Sequence, residues 1–456
     1  MAKSTVQYVC SSCGAKAPQM LGRCPVCGEW GTYEAEYLSD GTGKTASAKR
    51  GLPSTAGQPK RLQDVEATEE MRLDMRNGEF NRVLGGGLVP GSLVLLGGEP
   101  GIGKSTLALQ VLMQMGERKT FYASGEESVR QLKLRAERLA GNAENLYISS
   151  ETSLERILEQ VKELEPEIVV VDSIQTIGTE AIDATIGSIS QVRECAARIM
   201  EFAKTRNIPF IIIGHINKEG SLAGPKVLEH IVDTVLQFEG DQQYMYRILR
   251  AQKNRFGSTS ELGIYEMRQD GLREVTNPSE LLLSTAREGL SGVAIAAAVE
   301  GVRPFLIEVQ ALVSSAAYGT PQRSSTGFDG RRLNMLLAVL EKRVGFKLLQ
   351  KDVFINIAGG LRVQDTAIDL AIMAAVLSSN MDIALDASTC LCGEVGLAGE
   401  IRAVNRIEQR IAEAQKLGFK RIMIPAGQKV DTSRFKIEVV PVKRVTDAFR
   451  LLIKSN

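Results

Sequence analysis

The chain of 456 residues carries almost no net charge and has no long apolar run. Its formal net charge is +1, so a surface that binds nucleic acid has to be a local patch rather than a field of the whole molecule. No apolar run approaches the roughly 18 residues of a membrane-spanning helix. The first ten residues, MAKSTVQYVC, lack the apolar segment of a secretion signal. These absences predict a protein that neither enters a membrane nor follows the secretion route.

The sequence also lacks the cysteine pattern of a disulfide-stabilised protein. It has seven cysteines, an odd number, and four of them form two C-x-x-C pairs, Cys10 with Cys13 and Cys24 with Cys27. This use of cysteine predicts that the protein is located in the reducing cytoplasm. Ten residues separate the pairs, which lets the two turns face each other and close a tetrahedral Zn²⁺ site of four sulfur ligands. A redox C-x-x-C is the alternative, but it does not require a second copy. Zinc alone does not decide between a DNA-binding ribbon and a docking or folding module.

The length predicts two or three domains, each able to bury a core. We place a zinc ribbon at 1–36 and a flexible linker, rich in Gly, Ser, Thr, Ala and Lys, at 37–60. An ATPase domain follows at 61–275. The pattern of strands and helices then restarts, which predicts a C-terminal domain at 276–456.

The segment GGEPGIGKST, at 97–106, contains the phosphate-loop pattern G-x-x-x-x-G-K-S. Apolar residues at 91–96 predict a strand before it, and an amphipathic run at 105–115 predicts a helix after it, which is the order that such a loop needs. Backbone N–H groups at the helix start bind phosphates. We assign Lys104 to the β- and γ-phosphates and Ser105 to Mg²⁺. The residues predicted to bind ATP are Gly98, Glu99, Pro100, Gly101, Ile102, Gly103, Lys104, Ser105 and Thr106.

Polar residues stand at three further predicted strand ends. The strand in KTFYASGEES ends at Ser124 and precedes Glu126 and Glu127, the strand in EIVVVDS ends at Asp172, and the strand in IPFIIIGHINKEG ends near His215. Parallel strands bring their carboxyl ends to one edge of a sheet. We expect Asp172 to hold Mg²⁺, an acid at 126–127 to polarise the attacking water, and His215 to sense the γ-phosphate. The alternatives are an acidic helix start for the glutamates and a core position for His215.

This order of motifs resembles the RecA-type ATPase core shared by RecA, DnaB-type hexameric helicases and KaiC. In SGEESVRQL, Glu126 stands five residues before Gln131, as the catalytic glutamate does in the S-L-E-M pattern of DnaB-like proteins. The resemblance implies that Glu126 is the general base, with Glu127 as the second choice.

The run KNRFG places two cations on either side of an amide, next to a Phe-Gly that permits a tight turn. No carboxylate lies between residues 249 and 260, so Arg250, Lys253 and Arg255 lack a local partner. In a ring of ATPases such a turn could supply Lys253 and Arg255 to the nucleotide of the neighbouring subunit. The alternative is a solvated cationic turn. Together with the four-cysteine ribbon, the run closely resembles the RadA, or Sms, family of bacterial recombination ATPases, and the resemblance covers essentially the whole chain.

Two loops are candidates for DNA contact, because the loops after the Walker B and sensor strands line the central channel of RecA-like folds. The first, 174–190, contains no Lys or Arg. The second, 217–226, supplies Lys218 and Lys226 on a Gly-rich frame that could follow phosphates. Neither loop contains an aromatic residue for base stacking. The alternative is that both are ordinary surface loops.

The pattern from about Ser284 resembles the proteolytic domain of Lon, which uses a serine nucleophile activated by a lysine. The serine position falls on Asp365 and the lysine position on Glu408. A carboxylate replaces neither group, so we predict an inactive protease fold retained for assembly and DNA contact. One helical region is basic, and it is either a DNA-facing patch that includes Arg331 and Arg332 or a solvated face. Its cations are Arg331, Arg332, Lys342, Arg343, Lys347 and Lys351.

The predicted fold class is α/β: an N-terminal zinc ribbon, a RecA-like parallel-sheet ATPase core and a C-terminal Lon-protease-like α+β domain. The predicted cofactors are ATP, Mg²⁺ and Zn²⁺. The family resemblance implies a homo-hexameric ring that binds single-stranded and branched DNA, drives branch migration in recombinational repair and has RecA as a functional partner. The alternatives are a Lon-type ATP-dependent protease and a KaiC-like regulatory ATPase or kinase. The latter shares the GEES segment but explains neither the ribbon nor the C-terminal domain.

Overall fold

A computed structural model describes residues 5–10, 15–38, 61, 71–139, 141, 143–215, 226–240, 246–284, 289–316, 321–360 and 362–454. The chain divides into two compact units. The N-terminal unit comprises Met1–Glu239, Leu249–Thr259 and Met267–Arg273, and the C-terminal unit comprises Gly240–Ile248, Ser260–Glu266 and Glu274–Asn456. The predicted domain boundaries stay predictions, and residues 39–60 of the predicted linker lie outside the described residues.

The described α-helices are numbered in chain order. They are α1 (Gly78–Leu84), α2 (Lys104–Gln114), α3 (Val129–Arg138), α4 (Leu154–Leu164), α5 (Ile189–Arg206), α6 (Lys226–Ile231), α7 (Pro278–Leu282), α8 (Gly330–Val339), α9 (Asp369–Met381), α10 (Ile407–Lys416) and α11 (Val445–Lys454). Among the described residues, no helix combines the length and the apolar character that crossing a membrane requires.

The described strands are numbered in the same way. In the N-terminal part of the chain they are β1 (Thr5–Cys10), β2 (Lys16–Ala17), β3 (Tyr33–Leu38), β4 (Leu93–Gly98), β5 (Thr120–Ser124), β6 (Leu146–Ser150), β7 (Ile168–Asp172), β8 (Phe210–His215), β9 (Thr234–Glu239), β10 (Tyr246–Asn254), β11 (Leu262–Arg268) and β12 (Gly271–Glu274). In the C-terminal part they are β13 (Val293–Glu300), β14 (Arg303–Ser315), β15 (Arg323–Thr326), β16 (Lys351–Ile357), β17 (Thr389–Leu391), β18 (Glu394–Val395), β19 (Ile401–Arg402), β20 (Arg421–Pro425) and β21 (Glu438–Val442).

The zinc ribbon is a small antiparallel sheet with the strand order β2-β1-β3. Its core contains little more than Cys10, Ala17, Cys24 and Tyr33, which are all buried. So small an apolar cluster buries too little surface to hold a fold by itself. The apolar core alone therefore does not account for the stability of the ribbon.

The ATPase core is built on a nine-stranded sheet with the order β12-β11-β10-β9-β4-β8-β7-β5-β6. The six strands from β9 to β6 run parallel. Their sequences are continuous apolar runs, such as the fully buried residues 168–171 of β7, because both faces of a parallel sheet are covered. This confirms the predicted parallel sheet, although β4 begins two residues later than the pattern at 91–96 indicated.

The C-terminal unit contains a mixed seven-stranded sheet with the order β15-β16-β14-β13-β17-β20-β21. Helix α9 is buried from residue 369 to 378, as its apolar character on all sides requires. A π-helical turn at Leu340–Val344 extends α8. The strands and helices predicted from the sequence of this region are confirmed, and the domain has the predicted α+β character.

Candidate active site

The strand order brings the predicted catalytic segments to one edge of the nine-stranded sheet. Strands β4, β8, β7 and β5 are neighbours and run parallel. Their carboxyl ends carry the phosphate loop, His215, Asp172 and Ser124, respectively. This is the edge at which open α/β sheets bind their ligands.

Two glycines shape the phosphate loop. Gly103 has a φ of 110° directly before α2, and a Cβ at this position would lie 2.8 Å from Cε of Met267. A Cβ at Gly98, the last residue of β4, would lie 2.5 Å from the carbonyl oxygen of Phe238. Larger residues fit neither position. The chain therefore closes tightly from β4 into α2 and places residues 104–106 in the first helical turn, where N–H groups have no partner within the helix.

Lys104 is held inside the loop, with 3% of its surface exposed. Its Nζ donates to the carbonyl oxygens of Gly98 and Glu99 at 2.8 and 3.0 Å and lies 3.3 Å from Nδ1 of His215. Burial lowers the pKa of Lys104 to about 8, although nearby carboxylates oppose this shift. Its acceptors are neutral carbonyls, and an ammonium group forms stronger hydrogen bonds with a phosphate.

Glu126 lies at the centre of a hydrogen-bonded chain. Its Oε1 accepts a hydrogen bond from Oγ of Ser173 at 2.6 Å and lies 3.1 Å from Nε2 of His215. Burial raises the pKa of Glu126, but the hydrogen bonds and charges of its partners, including Lys104, hold this pKa below its ordinary value. The group is therefore a carboxylate at neutral pH. About 38% of its side chain stays exposed.

Glu127 has a different partner. Its Oε1 forms an ion pair with Arg135 of α3. Ser128 and Gln131 form a capping box that begins α3. Both glutamates therefore directly precede the helix N-cap, as the alternative interpretation expected, but lie outside the first helical turn. Among the described residues, only Glu126 of the two reaches the strand ends that face the phosphate loop. The geometry favours Glu126 as the base, and this choice stays a prediction.

The turn that carries Glu126 is fixed by close contacts. Oγ of Ser124 accepts the N–H groups of Glu126 and Glu127 at 3.2 and 2.9 Å. The N–H group of Gly125 donates to the Asp172 carbonyl oxygen at 2.8 Å. A Cβ at Gly125 would lie 2.3 Å from Oγ1 of Thr176. Only glycine lets this turn approach the end of β7 so closely.

Asp172 is buried, with 3% of its surface exposed. Its Oδ2 accepts a hydrogen bond from the Tyr122 hydroxyl at 2.5 Å. Burial, reinforced by the Asp172 carboxylate, raises the pKa of Tyr122 well above its ordinary value, so the tyrosine remains a donor. Oδ1 is buried and has no hydrogen-bond partner among the described residues. A buried oxygen without a partner is costly, and it marks a place where a cation or water completes the site.

The cations of the run KNRFG find partners far from it in sequence. Nζ of Lys253 donates to the carbonyl oxygens of Glu229 and Val232, at 2.6 and 2.7 Å, where α6 ends. Burial, reinforced by the charge of a neighbouring arginine, lowers the pKa of Lys253. Arg250 pairs with Glu239 at 3.4 Å. These partners lie outside residues 249–260, so the cations lack a local partner, as predicted, but are not without partners in the folded chain.

Arg255 is held by a buried carboxylate that the sequence analysis did not single out. Its Nη1 lies 3.2 Å from Oδ1 of Asp233, and 51% of the Arg255 side chain is exposed. Asp233 also lies 3.6 Å from Nζ of Lys204 and accepts the N–H group of Leu93 at 3.2 Å. The start of β4 and the cationic run thus share one carboxylate.

Two further side chains fix the KNRFG turn to the end of α1. Nδ2 of Asn254 donates to the Leu84 carbonyl oxygen at 3.2 Å. Arg72 donates to the carbonyl oxygens of Leu84 and Phe256, at 3.1 and 2.5 Å. The sequence carried no signal for the contacts of Asn254 with Leu84 and of Arg72 with Phe256, because these partners stand 170 and 184 residues apart. For Ser173, in contrast, a signal existed, since a hydroxyl directly follows Asp172 at the end of an apolar strand.

Three of the four predicted zinc ligands are described, and they lie together. The Sγ atoms of Cys10, Cys24 and Cys27 are all within 4.8 Å of one another, and those of Cys10 and Cys27 are 3.7 Å apart. A tetrahedral site with Zn–S bonds of about 2.3 Å separates its sulfur atoms by about 3.8 Å, so the spacing fits. Gly28, with a φ of 76°, donates its N–H to the Cys24 carbonyl oxygen and closes one turn. Cys13 lies outside the described residues.

The residues predicted to contact DNA are described only in part. Lys218 lies outside the described residues, and Lys226 begins α6 with a side chain that also lies outside them. Arg331 is exposed. Arg332 instead binds the buried carboxylate of Asp369 in α9, through Nε at 3.2 Å and through Nη2. Arg332 therefore has a partner within the chain, and DNA contact by any of the four residues stays a prediction.

An ion pair occupies the position to which the sequence assigns the Lon nucleophile. Nη1 of Arg410, a residue with 2% of its surface exposed, donates to Oδ2 of Asp365 and to the Ala297 carbonyl oxygen, both at 2.6 Å. Asp365 also accepts the N–H groups of Val299 and Ala367 at 2.8 and 3.0 Å. Both of its oxygens are therefore satisfied within the chain.

Glu408, which stands at the expected lysine position, lies in the first turn of α10, and its Oε2 is 3.6 Å from Nη1 of Arg434. Its side chain is 53% exposed. A cavity of about 330 Å³ adjoins Asp365 and Arg410. The described C-terminal unit thus keeps a recess at this position, and its lining includes the ion pair of Asp365 and Arg410.

Sequence models of three known families match parts of the chain. A rubredoxin metal binding domain matches residues 8–34, an AAA domain matches 58–221, and subunit ChlI of Mg-chelatase matches 328–428. The first match agrees with the zinc ribbon and the second with the domain of the phosphate loop. The third lies in the C-terminal domain, whose likeness to Lon stays a prediction.

Two solved structures each match less than half of the chain. The KaiC-like protein from Pyrococcus horikoshii OT3 is 20% identical with a TM-score of 0.38, over 45% of this chain and 99% of its own. The RadB recombinase is 22% identical with a TM-score of 0.36, over 44% of this chain and 99% of its own.

Curated relatives match the chain from end to end. The DNA repair protein RadA of Bacillus subtilis is 50% identical over 453 residues, which make up 99% of each chain. Proteins of the same name from Listeria monocytogenes and Halalkalibacterium halodurans are 47% and 45% identical. These matches cover 98% and 99% of this chain and 98% and 100% of the relatives. The chain belongs to the family of the DNA repair protein RadA.

Proposed function

We propose that the protein is an ATP-driven DNA motor of recombinational repair. One observation carries this proposal: a hydrogen-bonded chain runs from Lys104 through His215 and Glu126 to Ser173, beside the unpaired Oδ1 of Asp172. It joins a phosphate loop, a sensor strand and a carboxylate, which are the parts that hydrolysis of a nucleoside triphosphate requires. The relatives named DNA repair protein RadA support repair as the process.

In this proposal, phosphate binding rearranges the hydrogen bonds of the site. Lys104 leaves the carbonyl oxygens of Gly98 and Glu99 for the β- and γ-phosphates, because a charged acceptor replaces two neutral ones. His215 then loses its contact with Lys104 and is free to donate to the γ-phosphate. Glu126, already a carboxylate, accepts the proton of the attacking water.

The residues present fit a Mg²⁺ ion. The unpaired Oδ1 of Asp172 is buried and anionic-oxygen ligands suit Mg²⁺, while Ser105 stands in the first turn of α2. We propose that these two residues hold the ion, Asp172 through water. The ion would neutralise charge that develops on the phosphates.

The ribbon is proposed to bind one structural Zn²⁺ per chain through Cys10, Cys13, Cys24 and Cys27. The thiol spacing supports this assignment, and the small apolar core of the ribbon gives the metal a folding role. Metal analysis of the double variant Cys24→Ser/Cys27→Ser tests it. We expect the zinc content to fall from one equivalent to none, and an unchanged content overturns the site.

The motor is proposed to work as a homo-hexameric ring on single-stranded and branched DNA, to promote branch migration and to act with RecA. Lys253 and Arg255 would serve the nucleotide of the neighbouring subunit. Their contacts with α6 and Asp233 leave Arg255 half exposed, so it can be presented to another chain. DNA contacts by Lys218, Lys226 and Arg331 belong to the same proposal.

Hydrolysis rates measured with and without single-stranded DNA test the proposed function. We expect DNA to accelerate phosphate release from MgATP, and we expect a branched substrate to be converted to products only with hydrolysable ATP. The variant Lys104→Ala serves as the control for contaminating ATPases. A hydrolysis rate that DNA leaves unchanged would contradict a DNA motor and favour the KaiC-like regulatory ATPase.

Mixing variants tests the proposed role of the cationic run. A residue that acts on the neighbour's nucleotide predicts that Arg255→Ala binds ATP normally but loses DNA-stimulated hydrolysis, by up to roughly 10³-fold. Mixing Arg255→Ala with Lys104→Ala should restore part of the activity, since each chain supplies what the other lacks. Weaker DNA binding with unchanged basal hydrolysis and no restoration would indicate DNA contact instead.

We propose that the C-terminal domain does not cleave peptide bonds. Asp365 and Arg410 form an ion pair, and backbone N–H groups also donate to Asp365, so the side chain at this position is a paired carboxylate rather than a nucleophile of the Lon type. Digestion of casein in the presence of MgATP tests this. We expect intact casein, and cleavage that disappears with Asp365→Ala or Glu408→Ala would establish a protease.

A further inference from the structure

We propose that Ser173 is the positioning residue of the general base: its hydroxyl holds one oxygen of Glu126 so that the other oxygen faces the attacking water. The inference rests on the proposed function, since it requires that Glu126 accept the proton of that water. It concerns a residue that neither the phosphate-loop pattern nor the strand-end pattern assigns.

Ser173 is rigidly placed. It is fully buried and directly follows the last residue of β7. Its N–H group donates to Oγ1 of Thr176 at 3.2 Å, and that hydroxyl donates back to the Ser173 carbonyl oxygen at 2.9 Å. Among the described residues, Glu126 is the sole hydrogen-bond partner of the Ser173 hydroxyl, at 2.6 Å. Thr176 therefore holds the backbone of Ser173 in place, and the hydroxyl of Ser173 is left to bind Glu126 alone among the described residues.

The second donor to Glu126 is His215, and its neighbours fix its tautomer. The ammonium group of Lys104 can only donate, so Nδ1 of His215 accepts at 3.3 Å. A neutral imidazole then carries its proton on Nε2, which donates to Oε1 of Glu126 at 3.1 Å. Ser173 and His215 thus meet the same carboxylate oxygen.

This arrangement divides the carboxylate into two unlike oxygens. Oε1 accepts two hydrogen bonds, while Oε2 accepts none from the described part of the chain. An oxygen without donors is the better proton acceptor. The side chain of Glu126 is 38% exposed, so a water molecule can reach it. The geometry therefore assigns proton acceptance to Oε2 and anchoring to Oε1.

Ser173 differs from His215 in its independence from the phosphate loop. His215 contacts both Lys104 and Glu126, so its hydrogen bonds change when Lys104 turns to a phosphate. The hydroxyl of Ser173 forms no hydrogen bond with the described residues of the loop. Ser173 is therefore the anchor that remains when His215 is drawn to the γ-phosphate.

The test is single-turnover hydrolysis with protein in excess over MgATP, together with ATP affinity measured separately. We expect Ser173→Ala to slow hydrolysis about tenfold, since a hydrogen bond to a charged group contributes about this factor. ATP affinity should change less than about twofold. Ser173→Thr keeps the hydroxyl and should restore most of the rate. Loss of affinity in parallel with the rate would indicate general disruption of the site and overturn the inference.

A second comparison separates this inference from the proposed function. If Ser173 acts through Glu126, adding Ser173→Ala to Glu126→Gln should slow hydrolysis no further. A further tenfold loss in that background would show a structural role and overturn the inference. If Glu126→Gln is slow but Ser173→Ala hydrolyses at the wild-type rate, the inference alone is wrong. If Glu126→Gln itself hydrolyses at the wild-type rate, the assignment of the base fails, and this inference fails with it.

Discussion

The phosphate-loop cluster and the cluster around Asp365 differ in what their hydrogen bonds leave unsatisfied. At the phosphate loop, Oδ1 of Asp172 is buried without a partner among the described residues, and Lys104 rests on neutral carbonyl oxygens. Around Asp365, both carboxylate oxygens accept hydrogen bonds, and the guanidinium of Arg410 is buried against them. The first cluster leaves a buried acceptor that a ligand could satisfy, whereas the carboxylate of the second is satisfied within the chain. Buried charge alone therefore does not identify a catalytic site.

The two clusters should also differ in what they contribute to the free energy of unfolding. An unpaired buried oxygen costs about 1–3 kcal/mol of stability. A protein tolerates this cost at a site where a bound ligand offsets it. A buried ion pair is stable as long as both partners are present, but it leaves an uncompensated charge when one partner is removed. Substitutions in the first cluster should therefore act mainly on turnover, and substitutions in the second mainly on folding.

The largest expected effect belongs to Lys104→Ala. Removing the cation assigned to the phosphates should lower ATP hydrolysis by at least about 1,000-fold, while the free energy of unfolding changes little, because the ammonium binds only two loop carbonyl oxygens and the ring of His215. Hydrolysis assays and thermal unfolding measure the two effects. Lys133→Ala, at an exposed lysine of α3, is the matched control. Turnover near the wild-type rate would mean that the site is misassigned.

The next largest expected effect distinguishes the roles of two adjacent glutamates, Glu126 and Glu127. Glu126→Gln should bind ATP yet hydrolyse it roughly 10²–10⁴-fold more slowly, since the proton acceptor is lost. Glu127→Gln should be milder, because that residue pairs with Arg135 rather than with the strand ends. Single-turnover rates and ATP affinity of both variants decide the question, and the opposite ranking would move the base to Glu127.

Asp365→Ala is expected to act on folding. The substitution leaves the buried guanidinium of Arg410 without its carboxylate partner. The free energy of unfolding of the C-terminal unit should therefore fall by about 3–5 kcal/mol. Denaturant titration measures this loss. Glu408→Ala removes an exposed carboxylate and should change stability by less than about 0.5 kcal/mol. Equal effects of the two substitutions would show that the ion pair is not what stabilises this region.

The smallest expected effect compares two adjacent arginines in α8. Arg332→Ala leaves the buried Asp369 without its ion-pair partner and should cost about 1–3 kcal/mol of stability. Burial already raises the pKa of Asp369, which limits the loss because the carboxyl can take up a proton. Arg331→Ala should leave stability unchanged and, if the patch binds DNA, reduce the salt dependence of DNA affinity by about one ion. Stability lost with Arg331 rather than Arg332 would contradict the observed pairing.

Most of the structural predictions that the structure confirms rest on local sequence patterns. The phosphate loop, Asp172 and His215 each stand at the end of an apolar run, so strand ends and their polar residues could be placed from sequence alone. In the C-terminal domain, the resemblance to Lon likewise led to Asp365. The identity of its partner, Arg410, did not follow, because an ion pair across 45 positions depends on how α10 packs.

Long-range partners explain what the sequence did not predict. The absence of a carboxylate near Arg255 suggested an unpaired cation, yet Asp233 meets it because β9 and β10 are neighbours in the sheet. In the same way, the hydroxyl of Ser173 reaches Glu126 across 47 positions. Strand order, rather than spacing in the sequence, decides both contacts.

The contact between Lys253 and the end of α6 has a consequence for local unfolding. A helix of six residues does not persist alone in water, so α6 depends on the lysine that binds its terminal carbonyl oxygens. The helix and the KNRFG turn should therefore open together as one cooperative element. The amide hydrogens of Val232 and Arg255, which donate to Leu228 and Asp233, should then exchange with solvent at a common rate. Lys253→Ala would speed the exchange of both amide hydrogens, so a change at the cationic turn would alter the stability of α6.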